Sequence, residues 1–107
     1  MGYRMFIDDE RDPPNGETDW IVKRCFTGAM HHIYYNGCPD FISFDHDLAT
    51  HLTGYDVAKE LVELDQSGEV KIPKDFAFYV HSQNPVGAEN IRKYLSNYLS
   101  HRDPTTQ

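Results

Sequence analysis

The amino-acid sequence predicts a small α/β domain in which helices cover a mainly parallel four-stranded sheet. Two observations predict this fold class. Four short apolar runs have the character of buried strands, and three segments after the second, third and fourth of them carry apolar side chains at helical spacing. Buried strands that alternate with amphipathic helices are typical of parallel sheets. The predicted order along the chain is β-β-α-β-α-β-α.

The four predicted strands share short runs of apolar and strand-preferring residues. They span residues 4–8, 20–25, 41–45 and 76–81. Residues 9–19, which link the first two strands, contain a Pro-Pro and an Asn-Gly pair, so we expect a loop there. A long proline-rich connection, instead of a helix, must therefore make the first crossover.

Capping residues predict the ends of the first two helices. Thr27 is the expected N-cap of the first helix, which ends at Gly37. Thr53 and Asp56 have the spacing of a capping box at the start of the second helix, and Gly68 is expected to stop it.

The third helix is expected to begin at Pro85, with Asn84 as its cap. Each helix has one apolar face, as the helical spacing of its large side chains indicates. These faces consist of Phe26, Met30, Ile33 and Tyr34, then Val57, Leu61 and Leu64, and then Ile91, Tyr94, Leu95, Tyr98 and Leu99.

Length and charge limit the classes of protein that remain. The 107 residues suffice for one domain, expected over residues 1–100, with a flexible polar tail over 101–107. The net charge of −7 argues against binding to duplex DNA or an anionic membrane through a general positive field.

The sequence also indicates the compartment. No apolar run approaches the ~20 residues that cross a bilayer, and the first residues lack the apolar stretch of a signal peptide. Cys25 and Cys38 fit neither a disulfide framework nor a zinc-ligand pattern. We therefore expect a cytoplasmic protein with free thiols.

Polar residues follow three of the predicted strands. They occupy positions 8–11, 45–47 and 81–85. Ligands of open parallel sheets bind beyond the carboxyl ends of the strands, so these segments converge if strands one, three and four are neighbours.

The acidic residues of these segments predict a metal site. They are Asp8, Asp9, Asp45 and Asp47. Clustered carboxylates raise one another's pKa values unless a cation lies between them, and oxygen ligands suit Mg²⁺ bound together with a substrate phosphate. The alternative for any one of these acids is a turn or a helix cap, with Glu10 paired to Arg11.

The same segments supply candidates for acid–base chemistry and phosphate binding. His46 and His81 can exchange protons near neutral pH or bind a metal, and the alternative for His81 is a buried histidine bonded to the backbone. Ser82 and Asn84 offer neutral donors to a phosphoryl oxygen, although Asn84 can also be a simple cap. Arg11 can clamp a phosphate or form a surface salt bridge.

Four motifs together resemble a known family. They are IDDERDPP, SFDHDL, TGYDVAKEL and VHSQNPVGAENI. In this combination they resemble the cyclic-phosphate processing receiver domain, a family with members in bacteria and phages. The resemblance extends from Met5 to about Leu99. The chain departs from the family pattern at Phe44 and Ala49, where leucine and glycine are common, and neither change is expected to alter the chemistry.

The resemblance implies a receiver-like (flavodoxin-like) sheet without the first helix and a metal-dependent site that processes a cyclic phosphate on a nucleotide or RNA end. The matching positions are Asp8, Asp9, Glu10, Arg11, Asp45, His46, Asp47, His81, Ser82 and Asn84. As a hypothesis, Asp8, Asp9, Asp45 and Asp47 are ligands of one Mg²⁺ or Mn²⁺. In this hypothesis His46, His81 and Asp45 are catalytic residues. Arg11, Ser82 and Asn84 bind the phosphoryl group of the substrate.

Two other functions remain open. A receiver signalling domain would accept a phosphoryl group on Asp45, but it needs a lysine after a fifth strand. Here Lys93 lies in a predicted helix, and Lys71 and Lys74 precede the fourth strand. The second alternative is a non-enzymatic module, encoded by a phage, that sequesters a cyclic nucleotide or binds a host protein.

Overall fold

The computed structural model describes residues 2–48 and 51–102. Its regular elements are β1 (Arg4–Ile7), β2 (Trp20–Lys23), α1 (Phe26–Asn36), β3 (Phe41–Phe44), α2 (Gly54–Ser67), β4 (Ala77–Val80) and α3 (Pro85–His101), with a 3₁₀ turn at Pro14–Gly16. All paired strands are parallel, and their order across the sheet is β2-β1-β3-β4. The predicted fold class and order of elements are therefore confirmed.

The connection from β1 to β2 contains no α-helix, as predicted, and Arg24 holds it in place. The guanidinium of Arg24 donates to the carbonyl oxygens of Asp8 at 3.1 Å and Arg11 at 2.6 Å. It also pairs with the carboxylate of Asp12 at 2.7 Å. Because Arg24 directly follows β2, these bonds tie the end of β2 to the loop that leaves β1.

All three helices pack on one face of the sheet. Met5 and Ile7 of β1 lie in one buried cluster with Ile42 and Phe44 of β3, and residues from each helix complete this cluster. Side chains alternate between the faces of a strand, so Phe6 points to the opposite face. In the described part of the chain, no helix covers that opposite face.

Several predicted helix ends are confirmed, and one is wrong. Gly37 and Gly68 end α1 and α2 with positive φ angles of 92° and 84°. The capping box of Thr53 and Asp56 is present. The N-cap of α1 is Cys25 instead of Thr27, because the chain turns into the helix directly after β2 and the sulfur of Cys25 accepts from the Gly28 amide at 3.4 Å.

The predicted apolar faces are buried in the core or packed against it, with one exception. Tyr34 was expected to face the core but is 56% exposed, because helix α1 turns it outward beside Tyr35. Ile33 takes the interior position. None of the helices in the described ranges is long and apolar enough to span a membrane.

Helix α3 extends into the first part of the predicted tail. The helix continues through His101. Arg102 then donates to the carbonyl oxygens of Ile72 at 3.0 Å and Pro73 at 3.1 Å. The predicted tail therefore begins with two anchored residues, and 103–107 lie outside the described residues.

Asp65 is a buried acid that joins three parts of the fold. Its carboxylate accepts from the Ile72 amide at 2.8 Å and from the Tyr98 hydroxyl, and it lies 4.0 Å from Arg102. Burial and the bond to Asp65 raise the pKa of Tyr98 to about 12. Asp65 thus holds the end of α2 against α3 and the segment before β4.

Replacing Asp65 with alanine should lower the free energy of unfolding by about 3 kcal/mol, because the Ile72 amide and the Tyr98 hydroxyl lose a buried acceptor. Urea unfolding of the wild type and D65A measures this difference. Glu63→Ala is the matched control, since Glu63 is an exposed acid of the same helix. Equal losses in the two variants would contradict the role of Asp65.

Candidate functional site

Three predicted site residues lie side by side where β1, β3 and β4 end. The backbone pairing continues one residue beyond the strands, since Asp45 donates its amide to Ile7 and His81 donates its amide to Phe44, both at 2.9 Å. The sheet order makes Asp8, Asp45 and His81 neighbours at one edge. The predicted convergence of strands one, three and four is therefore confirmed.

Asp8, Asp45 and His81 form a compact cluster. One potential ligand atom from each lies within 4.8 Å of the others. The Nε2 atom of His81 is 2.9 Å from Oδ2 of Asp8, and Nε of Arg11 is 3.1 Å from the same oxygen. Arg11 also reaches Asp45, with Nη2 4.0 Å from its Oδ2. Both carboxylates are more than nine-tenths buried, so their charges interact strongly.

The chain itself stabilises the charged form of Asp8. Its Oδ1 accepts from the backbone amides of Glu10 and Arg11, each at 2.8 Å. Burial acts to raise the pKa of Asp8, but these amide bonds, the bond from His81 and the charge of Arg11 hold that pKa below its ordinary value. Asp8 is therefore a preformed anion.

Asp45 has the opposite tendency. Burial, and then the charge of Asp8, raise its pKa, and a hydrogen bond from Ser82 and electrostatic interactions with His81 and Arg11 only partly offset this. The pKa values of these two adjacent acids are thus shifted in opposite directions. A cation between them would remove the repulsion that raises the pKa of Asp45.

His81 is fixed at both ring nitrogens. Its Nδ1 is 2.8 Å from the hydroxyl of Ser43, and its Nε2 is bonded to Asp8. The ring stacks on Phe6, with centroids 4.6 Å apart and an interplanar angle of 5°. Because ionised Asp8 can only accept, Nε2 carries a proton, and neutral His81 accepts the Ser43 hydroxyl at Nδ1.

Ser43 was not identified from the sequence. It lies two residues before Asp45, so both side chains project from the same face of β3. The sequence feature that could have identified Ser43 is its hydroxyl inside the apolar run FISF, because a buried polar side chain needs a hydrogen-bond partner. The partner itself comes from β4, which the sequence does not place beside Ser43.

His46, Asp47 and Asn84 form a second group. Asp47 lies 3.0 Å from Nδ1 of His46 and accepts from Nδ2 of Asn84 at 3.4 Å. The bond to His46 is the main cause that lowers the pKa of Asp47. Asn84 is also the N-cap of α3, since its Oδ1 accepts the Gly87 amide at 2.9 Å. That amide is therefore already bonded.

Two glycines shape the loop that carries Asp45 and His46. A Cβ atom on Gly54 would lie 2.0 Å from the carbonyl oxygen of Asp45, and one on Gly87 would lie 2.4 Å from the ring of His46. The amide of Gly54 donates to the carbonyl of His46 at 2.8 Å. The first turns of α2 and α3 therefore pack closely against this loop.

The remaining predicted residues are placed less centrally. Asp9 is half-buried and Glu10 is exposed. Within the described ranges, neither Asp9 nor Asp47 is a member of the Asp8–Asp45–His81 cluster. Ser82 contacts Asp45 and accepts the Asn84 amide at 3.0 Å. Ala49 lies outside the described residues.

The donor set of the cluster fits a divalent cation. Carboxylates suit Mg²⁺ and Mn²⁺, whereas an imidazole ligand is more typical of transition metals. Two buried carboxylates and one imidazole within 4.8 Å would suit Mn²⁺ better than Mg²⁺, and the bound metal stays a prediction.

Comparison with known families agrees with the motifs. The family model described as the cyclic-phosphate processing receiver domain matches residues 3–97, a range that includes all the polar segments at the sheet edge. Neither the comparison with curated proteins nor that with solved structures yields a match. Since the matched range covers most of the 107 residues, the chain belongs to the cyclic-phosphate processing receiver domain family.

Proposed function

We propose that this domain is a metal-dependent phosphoesterase that hydrolyses the cyclic phosphate of a nucleotide or RNA end. The observation that carries the proposal is the buried cluster of Asp8, Asp45 and His81 beside the guanidinium of Arg11. Such a cluster combines cation ligands with a donor to phosphate at the edge where parallel sheets bind ligands. Membership of the family supports cyclic phosphate as the substrate group.

Asp8, Asp45 and His81 would hold the cation. When bound, Mg²⁺ or Mn²⁺ polarises a phosphoryl oxygen and lowers the pKa of water. To hold the cation through Nε2, neutral His81 would carry its proton at Nδ1 and donate it to the Ser43 hydroxyl, as metal-binding histidines commonly do towards an outer partner. The metal-binding roles predicted for Asp9 and Asp47 stay predictions.

His46 is the proton carrier in this proposal. Asp47 holds Nδ1 of His46, so the proton of a neutral ring lies there and Nε2 can accept one from water. Water adds to phosphorus, one phosphorus–oxygen bond to the ribose breaks, and the departing ribose oxygen takes a proton from Nε2. The product is a ribose monophosphate, and the ring returns to its neutral state.

Arg11 is the main donor to the phosphoryl group. Its side chain is 44% exposed, and its guanidinium has N–H groups beyond the one that contacts Asp8. These can bond the oxygens that gain charge in the transition state. Ser82 already bonds Asp45, and Asn84 already caps α3. Their predicted contacts with phosphate would be additional to these bonds.

Activity should require both the metal and His46. We expect turnover of 2′,3′-cyclic mononucleotides with Mn²⁺ or Mg²⁺ and none after chelation. His46→Ala should lower kcat about 100-fold, the typical contribution of a general acid–base, and leave cation binding intact. Chromatography of the products measures turnover, and calorimetry with Mn²⁺ measures cation binding.

His101→Ala is the matched control for His46→Ala, because His101 is an exposed histidine at the far end of α3. Full activity in chelated protein, or in Asp45→Asn, would contradict the proposal. Retention of a phosphoryl group on Asp45 after incubation with acetyl phosphate, without turnover, would favour the receiver signalling function.

Cation affinity should fall as the pH decreases through the raised pKa of Asp45. A protonated Asp45 must lose its proton before it can bind the cation, whereas Asp8, with its lowered pKa, stays ionised. Calorimetry with Mn²⁺ between about pH 4 and about pH 7 covers the range above the ordinary carboxyl pKa of ~3.9. Asp45→Asn should bind the cation weakly throughout this range, and a wild-type affinity that is constant over the range would contradict the assignment.

Gly87→Ala should reduce activity without unfolding the protein. The added methyl group must displace the ring of His46, while alanine is a better helix former than glycine by about 1 kcal/mol. We expect a lower kcat in a protein that still folds, since the helix propensity of alanine partly offsets the cost of moving the ring. Val86→Ala is the control, since Val86 is 70% exposed in the same turn. A wild-type kcat in Gly87→Ala would show that the position of His46 is unimportant.

A further inference from the structure

The face of the sheet opposite the helices carries a groove that extends beyond the candidate site. Its volume is about 450 Å³. Phe6, Trp20, Phe41 and Tyr79 line it from the sheet, and part of the link between β1 and β2 forms one wall. A groove of this size is within the usual range of small-molecule sites, ~300–1,000 Å³.

The groove is continuous with the candidate site. Arg11 and His81 line both of them. From the stacked pair of His81 and Phe6, aromatic rings continue across the sheet, with centroids 5.7 Å apart for Phe6 and Trp20 and 5.9 Å apart for Trp20 and Phe41. A ligand with its phosphate at Arg11 would thus have an aromatic surface beside it.

Trp20 is held in a fixed orientation. Its indole N–H donates to Glu17 at 2.6 Å, and the guanidinium of Arg4 lies 4.1 Å from the centre of its ring system. Arg4 in turn pairs with Asp19 at 2.6 Å. Tyr79, another aromatic residue of the groove, is 61% exposed. One aromatic ring is thus preorganised, and a second is accessible to a ligand.

We propose that this groove binds the nucleobase of a single nucleotide whose phosphate lies at Arg11. This inference rests on the proposed function and adds a base-binding subsite to it. The polarity of the groove is complementary to a nucleotide, because its walls are aromatic and the cation Arg11 lies at the end next to the cluster. Asp12, which also lines the groove, is neutralised by Arg24 at 2.7 Å. Bases stack on aromatic side chains without need of a particular sequence.

A second copy of the chain fits the groove less well. Stable interfaces bury ~1,200–2,000 Å² of surface, whereas this groove has the dimensions of a small-ligand site. Two copies, each with a net charge of −7, also repel one another.

Trp20 is the only tryptophan of the chain, so its fluorescence reports directly on the groove. In the presence of Mg²⁺, adenosine 3′-monophosphate should quench this fluorescence in a saturable manner, and the methyl riboside 3-phosphate, which lacks a base, should not. Tyr79→Ala should weaken the binding of the nucleotide about tenfold, within the range measured for loss of one stacked base. Tyr35→Ala is the matched control, because Tyr35 is 73% exposed on α1.

Turnover provides a second readout. Tyr79→Ala should raise KM for 2′,3′-cyclic AMP about tenfold and leave KM for the base-free methyl riboside 2,3-cyclic phosphate unchanged. A dinucleotide with the same terminal phosphate should bind no more tightly than the mononucleotide. Tighter binding of the dinucleotide would overturn the assignment to a single nucleotide in favour of an RNA end.

The results separate this inference from the proposed function. Saturable quenching without any turnover supports the base-binding groove and removes the phosphoesterase. Turnover without quenching, or equal KM values for the nucleotide and the base-free substrate, overturns the groove and leaves the phosphoesterase. A dimer in sedimentation that Tyr79→Ala dissociates would show that a second copy occupies the groove, which also overturns the inference.

Discussion

The parallel register of β1, β3 and β4 is the constraint on which the candidate site depends. The backbone pairing runs one residue past each strand, so Asp8, Asp45 and His81 reach the same level of the sheet and project from the same face. A shift of one residue in any pair would turn its side chain towards the helices. The apolar side chains of Met5, Ile7, Ile42 and Phe44 prevent this shift, because a shift would expose them. The hydrophobic core therefore aligns the polar cluster.

The site places two carboxylates close together where water is largely excluded. The fold accommodates them by different means, since backbone amides stabilise the charge on Asp8 whereas Asp45 keeps a raised pKa. Arg11 and His81 supply the nearby positive or donor groups. An arrangement that leaves one acid incompletely neutralised is suited to a site that gains a cation, because the cation relieves repulsion already present.

In the described chain, β1 and β2 are joined without an α-helix, and this connects the fold to the groove. A helix in this crossover would cover the face that carries Phe6 and Trp20. The loop leaves that face accessible, and Arg24 holds the loop beside the cluster through three bonds. A loop in place of a crossover helix thus leaves one face of the sheet accessible and brings Arg11 next to Asp8. The two bonds from Arg24 to the carbonyls of Asp8 and Arg11 could not be predicted from the sequence, because every residue offers a backbone carbonyl.

Local patterns in the sequence determined the fold class, the order of elements, most helix caps and the edge at which Asp8, Asp45 and His81 meet. These features depend on apolar periodicity and on residues close together in the chain, such as the Thr53–Asp56 capping box. Tertiary structure alone decided that Ser43 and Asp8 hold the two nitrogens of His81. It also decided that Asp65 joins α2 to α3. The physical reason is that these contacts depend on where side chains from distant segments come within hydrogen-bonding distance, and only packing of the whole chain sets that distance.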